Sequence, residues 1–281
     1  MEKDDPLVSA EWLFQKLESN DHGVVVLDAS LGKPVPSKEA PSSMNTQIKG
    51  ARFFDIGHSF SDNTSPLPHM MADQERFEKE ARNLGLNSED TIVVYDNHGI
   101  YSSPRAWWMF KSMGHEKVYV LNGGLPEWLH KKYPVEEKQQ ANALPGNFIA
   151  KSQTNFFVDL AHTLEKSDDS NTCILDARSE GRFKGWEPEP RVGLKSGHIP
   201  HSKNLPFPYV LDGNQMRPRN QLQELFKPFD LSSKQLIFSC GSGLTACIIL
   251  LAAYKAGYKN LSVYDGSWCE WGASAKLPVE V

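Results

Sequence analysis

Short unbroken apolar runs recur along this chain, and polar, helix-forming stretches separate them. Val24-Val25-Val26-Leu27, Thr91-Ile92-Val93-Val94-Tyr95 and Val118-Tyr119-Val120-Leu121 lie in the first half. Cys173-Ile174-Leu175, Leu236-Ile237-Phe238 and Leu261-Ser262-Val263-Tyr264 lie in the second. Runs of this length, apolar throughout rather than alternating, suit strands covered on both faces of a parallel sheet. Helical stretches are expected over Asp73–Leu84, Pro104–Met113, Asn220–Phe226 and Ala246–Tyr254. Strands alternating with helices imply an α/β fold in each half.

The two halves repeat one pattern. Val24–Ala29 matches Cys173–Ala177, with Asp28 opposite Asp176. Thr91–Asp96 matches Gln235–Cys240, and Val118–Gly124 with Glu127-Trp128 matches Leu261–Gly266 with Glu270-Trp271. The polar segment Glu136–Ser152 lacks an apolar period and contains Pro145-Gly146, so it reads as the connection. The expected organisation is therefore a first domain over 1–137, a linker over 138–153 and a second domain over 154–281. Where the second half has Cys240, the first has Asp96, a carboxylate without a thiol's nucleophilicity. The first half is expected to be catalytically silent and to close one side of a cleft, since ligands bind beyond the carboxyl ends of such strands.

The chemistry concentrates at Cys240. An apolar strand ends there, the tight run Gly241-Ser242-Gly243-Leu244-Thr245 follows, and a helix begins. Backbone N–H groups at a helix amino end favour an anion, and the thiolate is the nucleophilic form of cysteine. Gly241 and Gly243 are what a loop needs if its amides are to converge on one point. A buried cysteine acting only as a small hydrophobe would not need that loop. In phosphate-transferring cysteine loops an arginine stands where this chain has Ala246. No second cysteine follows after two intervening residues as in redox pairs, the next being Cys247. A single sulfur in a small, uncharged cradle suits carriage of sulfur as a persulfide.

Composition narrows the class further. With 281 residues, 40% hydrophobic and 23% charged, the chain has the make-up of an ordinary globular protein of one large or two average domains. Its net charge of −5 offers no field for nucleic acid. Its longest apolar run falls far short of the roughly 20 residues that cross a bilayer, so no membrane partner is expected. The acidic start Met1–Pro6 does not look like a secretory leader. Cys173, Cys240, Cys247 and Cys269 have neither metal-type spacing nor disulfide-framework density, which points to a reducing cytoplasm. No metal or cofactor is expected, and there is no dinucleotide-binding loop.

Cys240-Gly241-Ser242-Gly243-Leu244-Thr245 resembles the active-site loop of the rhodanese superfamily, in its 3-mercaptopyruvate sulfurtransferase branch. Asp176-Ala177-Arg178, Gly181-Arg182-Phe183, Glu187–Arg191, Gly197-His198-Ile199-Pro200 and Asp265-Gly266-Ser267-Trp268 also look like family signatures. So do Phe53–Ile56, Thr64–Met70 and Pro104–Trp108, and the likeness spans nearly the whole chain. It implies two tandem rhodanese-like domains, each a central parallel sheet flanked by helices. It also implies transfer of sulfane sulfur from 3-mercaptopyruvate, through a Cys240 persulfide, to a thiol acceptor such as thioredoxin or to cyanide. Thiosulfate-using relatives carry basic residues after the cysteine, whereas Gly241 and Ser242 are neutral. A thiosulfate:cyanide sulfurtransferase and a non-catalytic persulfide carrier remain the alternatives.

The resemblance also places the other site residues. Arg182 and Arg191 match the two substrate-binding arginines, whose planar forks suit the carboxylate and keto oxygens of the donor. The competing reading pairs them with Glu187 and Glu189 at the surface. Gly241, Gly243, Leu244 and Thr245 form the donor cradle, with the Thr245 hydroxyl either on the thiolate or capping the helix. Ser242 and His69 are the candidate proton carriers. The acid that follows Phe-Phe-Asp-Ile in some relatives is replaced here by Gly57 and His58. Arg178 and Arg105 are expected to be structural, held by carboxylates. His198 and His201 belong to a turn rather than a zinc site, and Cys247 is expected to be buried and inert.

Overall fold

The structure is a computed structural model that describes residues 5–19, 23–31, 45–139, 143–231 and 234–281. Residues 1–4 of the acidic start and 140–142 of the expected linker lie outside the described residues. The chain divides into two compact units. The first comprises residues 1–62, 71–153 and 213–216; the second comprises 63–70, 154–212 and 217–281.

In the first unit five parallel strands run in the order Leu7–Val8, Val118–Leu121, Thr91–Tyr95, Val24–Asp28, Arg52–Phe53. In the second the order is Phe157–Val158, Leu261–Tyr264, Gln235–Ser239, Thr172–Asp176, Lys203–Asn204, again all parallel. The three strand pairs matched by sequence occupy equivalent places in the two sheets. Thr91–Tyr95 and Gln235–Ser239 are both central, and this sets Asp96 and Cys240 at equivalent carboxyl ends. The edge strands are two residues long, too short for periodicity to reveal.

The helices form where local chemistry starts and stops them. Gln74–Asn83 begins at Asp73, whose carboxylate accepts the Arg76 N–H at 2.8 Å, and it buries Phe77 and Ala81, one turn apart. Ala246–Ala256 is apolar on nearly every side and buried accordingly, and it ends at Gly257 with φ 114°.

The expected linker is no free tether. Gly146 N–H donates to Arg82 O at 2.9 Å, Phe148 N–H to Leu86 O at 3.0 Å and Lys151 N–H to Met113 O at 2.9 Å. Phe148 is fully buried among Phe77, Phe110 and His115. The segment is a strap on the first unit, and a single anchoring aromatic leaves no period to read. Val135–Glu137 also pairs antiparallel with Thr46–Ile48, a contact between residues too distant in sequence to foresee.

Candidate active site

Cys240 directly follows the central strand of the second sheet and is 1% exposed. Gly243, with φ 70°, reverses the chain into the Ala246–Ala256 helix. Thr245 occupies the N-cap position without a side-chain capping bond, so its expected capping role is corrected. Its backbone is already in the helical region, which turns the hydroxyl away from the first-turn amides.

Two of the loop amides expected to converge on the sulfur are used elsewhere. The N–H groups of Cys240 and Gly243 both donate to Ser267 Oγ, at 3.2 and 3.1 Å, and Ser267 Oγ donates to Tyr264 O at 2.8 Å. Ser267 is fully buried, with φ 48°. Its hydroxyl is the pin on which the loop is folded. The next two amides continue the attachment, Trp268 N–H to Cys240 O at 3.0 Å and Cys269 N–H to Gly241 O at 2.8 Å. The run Asp265–Trp268 carried this signal in sequence only as a family signature, because nothing local shows which loop it meets.

The equivalent loop of the first unit shows the same backbone closing on an anion. Asp96 Oδ2 accepts the N–H groups of Tyr101, Ser102 and Ser103 at 2.8, 3.0 and 2.9 Å, and the Ser103 hydroxyl at 2.7 Å. The carboxylate fills the cradle of its own loop.

Arg182 and Arg191 both reach the Cys240 loop. A Cβ added to Gly241 would lie 3.4 Å from Arg182 Nη2 and 3.8 Å from Arg191 Nη1. Arg182 is held by Glu189, with Nη2 2.5 Å from Oε2 and Nε 3.2 Å from Oε1. Glu189 also takes Arg178 Nη1 at 2.8 Å. Arg178 is buried between Asp176, at 2.6 Å, and the ring of Trp268, at 4.2 Å, as a structural arginine should be. Burial works against its charge, and Asp176 and Glu189 more than restore it. Arg105 is fully buried. Glu187 accepts from Ser179 Oγ instead of from either arginine of the pair. Arg191 Nη1 lies 3.2 Å from Cys269 Sγ. The surface pairing thus holds for Arg182 with Glu189 alone, and that carboxylate is itself buried, with its side chain 2% exposed.

Ser242 is buried, and its Oγ is 3.3 Å from His69 Nδ1. Residues 63–70 fold with the second unit, which brings His69 to this loop despite its place in the first half of the sequence. His69 has φ 63°. Gly57 and His58 turn their amides onto Asp55 Oδ1, at 3.0 and 3.1 Å.

Leu244 is buried beside the loop. Cys247 Sγ donates to Gly243 O at 3.3 Å, so this second cysteine steadies the turn from inside the helix. His198 stacks on Phe183 at 3.7 Å and bonds Phe183 O through Nδ1 at 2.8 Å. Among the described residues no group of three or more His, Cys, Asp or Glu side chains is placed to hold a metal, and no helix is long and apolar enough to cross a membrane.

The rhodanese-like domain family matches residues 9–131 and 159–274. A 3-mercaptopyruvate sulfurtransferase from Escherichia coli (strain K12) is 39% identical over 277 residues, covering 97% of each chain. The mitochondrial thiosulfate/3-mercaptopyruvate sulfurtransferase 1 of Arabidopsis thaliana is 37% identical over 98% of this chain and 78% of its own length. The crystal structure of SseA from Escherichia coli, of rhodanese fold, superposes with a TM-score of 0.82 at 34% identity, covering 94% of this chain and 98% of that one.

Proposed function

This chain belongs to the rhodanese family, and we propose on that premise that it transfers sulfane sulfur from 3-mercaptopyruvate, through a Cys240 persulfide, to a thiol or to cyanide. The observation that carries this reading is the meeting of two guanidinium groups over Gly241, beside a cysteine at the start of a helix.

Arg182 and Arg191 grip the carboxylate and keto oxygen of the donor and set its sulfur against Cys240 Sγ. Gly241 has no side chain, which leaves the room between the guanidiniums and the sulfur to the donor. Cys240 is 1% exposed, and a site this enclosed excludes competing water. The thiolate attacks the donor sulfur, the carbon–sulfur bond breaks, and its electron pair passes to the pyruvate enolate. His69 and Ser242 deliver the proton that the enolate carbon takes up. By register, the Thr245 and Ala246 amides stand where Tyr101 and Ser102 bond Asp96, and they hold the outer, anionic sulfur of the persulfide in the same way. With Asp96 filling its own cradle, the 1–137 domain carries no sulfur.

The acceptor is a thiol, of which a dithiol protein such as thioredoxin is the expected physiological form. Four free cysteines suit a reducing, cytoplasmic setting. A side-by-side assay tests the reading. Mercaptopyruvate should exceed thiosulfate in kcat/KM by at least about tenfold, the weight of one charge-assisted contact, and Cys240→Ser should abolish turnover with the fold intact. A preference for thiosulfate would establish the rhodanese reaction instead. A persulfide that forms but discharges only over hours would make the protein a carrier.

A further inference from the structure

Cys269 has no part in the reaction above, yet it stands inside the same site. Its N–H donates to Gly241 O at 2.8 Å, and the preceding Trp268 N–H donates to Cys240 O at 3.0 Å. Two consecutive bonds therefore hold the segments Cys240-Gly241 and Trp268-Cys269 side by side. Trp268 and Cys269 open a helix against this loop, so the backbone of each cysteine lies one hydrogen bond from the segment of the other, the proximity a disulfide needs. The Cys269 side chain turns toward the donor-binding groups, with Sγ 3.2 Å from Arg191 Nη1. Burial pushes its thiol up and Arg191 draws it back, while a Cys240 thiolate is close enough to push it up further. Cys247 differs, since its thiol is committed to Gly243 O. All four cysteines are free as the structure stands.

We propose that Cys269 is the resolving thiol of the Cys240 persulfide, so that this chain releases sulfide by closing its own disulfide. The inference rests on Cys240 being the persulfide carrier. Cys269 Sγ attacks Cys240 Sγ, a sulfur–sulfur bond forms between the two residues, and the bond from Cys240 to the outer sulfur breaks. The outer sulfur leaves with that electron pair and with the Cys269 proton, as hydrosulfide. Two thiol sulfurs are oxidised and one sulfane sulfur is reduced, so the persulfide is the oxidant and no other is required. Arg191 serves both stages: it holds the donor carboxylate first and, once pyruvate has gone, returns to Cys269 Sγ, where its charge favours the attacking thiolate. Turnover then needs an external dithiol that reduces a protein disulfide, a more specific requirement than a thiol that attacks a persulfide.

The test is one loading of the full chain with mercaptopyruvate and no acceptor. Sulfide is trapped with a bimane reagent and the protein is mapped by mass spectrometry without reduction. The parent should release about one equivalent of sulfide, lose two hydrogens and yield a Cys240–Cys269 cross-linked peptide. Cys269→Val and Cys269→Ser should instead retain the mass of one added sulfur on Cys240 and release little sulfide. A parent protein that keeps a stable Cys240 persulfide, or a variant that releases sulfide as the parent does, would overturn the proposal. If neither the parent nor the variants liberate pyruvate, the donor reading fails first and the resolving role falls with it. Added sulfur found on Cys269 would also overturn it, by showing attack at the outer sulfur.

Discussion

His69 Nδ1 stands 3.3 Å from Ser242 Oγ, which joins a residue of the first half of the sequence to the sulfur-bearing loop of the second. Chain order alone would have left the two apart. Residues 63–70 fold with the second unit, and the positive φ of His69 fixes the backbone from which its ring reaches the loop.

That pair has a kinetic signature. Breaking the carbon–sulfur bond of mercaptopyruvate leaves an enolate needing a proton, whereas thiosulfate leaves sulfite, which needs none on carbon. His69→Asn should lower kcat with mercaptopyruvate by about 100-fold, the low end of general acid–base effects. The loss with thiosulfate should be far smaller. Equal losses with both donors would assign His69 to loop geometry.

Among the described residues, no carboxylate holds Arg191 as Glu189 fixes Arg182. Arg191→Ala should raise KM for mercaptopyruvate by about 10- to 100-fold, as expected for a charge-assisted bond, with a much smaller change in kcat. Arg191→Lys should recover only part, because an ammonium cannot form the two-pronged contact. An unmoved KM in initial-rate measurements would remove Arg191 from donor binding.

Ser267 bonds the Cys240 and Gly243 amides while sitting at φ 48°. Ser267→Ala leaves both amides buried without a partner, at about 1–3 kcal/mol each. Tm should fall by roughly 5–10 °C, and kcat should drop with KM nearly kept. Ser267→Gly relieves the backbone but still lacks the hydroxyl, so calorimetry should show a loss in the same direction. A glycine variant as stable as the parent would locate the cost in φ, not in the hydrogen bonds.

His115 packs against Phe110 and Phe148, and burial holds its imidazole below the ordinary histidine range. The folded state therefore binds its proton less readily than the unfolded chain, whose histidine titrates near ~6.5. Its share of stability is complete above that pH and is lost as pH falls from there toward the folded value. Urea unfolding should show stability declining from about pH 7.5 to 5.5. His115→Gln should flatten the decline, and an unchanged slope would assign it elsewhere.

Much of the site was legible because local pattern encodes it. Cys240 ends a run of buried residues and precedes a helix, and both facts lie within twenty residues of sequence. Arg182 was readable from its own segment, but its partner was not: Glu187 and Glu189 differ little in sequence, and only the turn at Gly181 decides between them. A Cβ on Gly181 would lie 2.3 Å from the Glu187 side chain, so the turn seats Glu187 there and leaves Glu189 to bridge Arg178 and Arg182. Phe148 was missed because one anchoring aromatic has no period.

The sequence by itself determined the repeated strand–helix pattern, the parallel sheet in each half, and the contrast between a sulfur and a carboxylate at equivalent strand ends. Burial with a period of two or with none is a local property, and a chain must write it residue by residue. Tertiary structure alone decided that Ser267 pins the Cys240 loop, that His69 meets Ser242, and that Cys269 lies beside Arg191. Those meetings depend on strand order and on which loops share a carboxyl edge. Hydrogen bonds between distant residues leave no periodic mark on either partner.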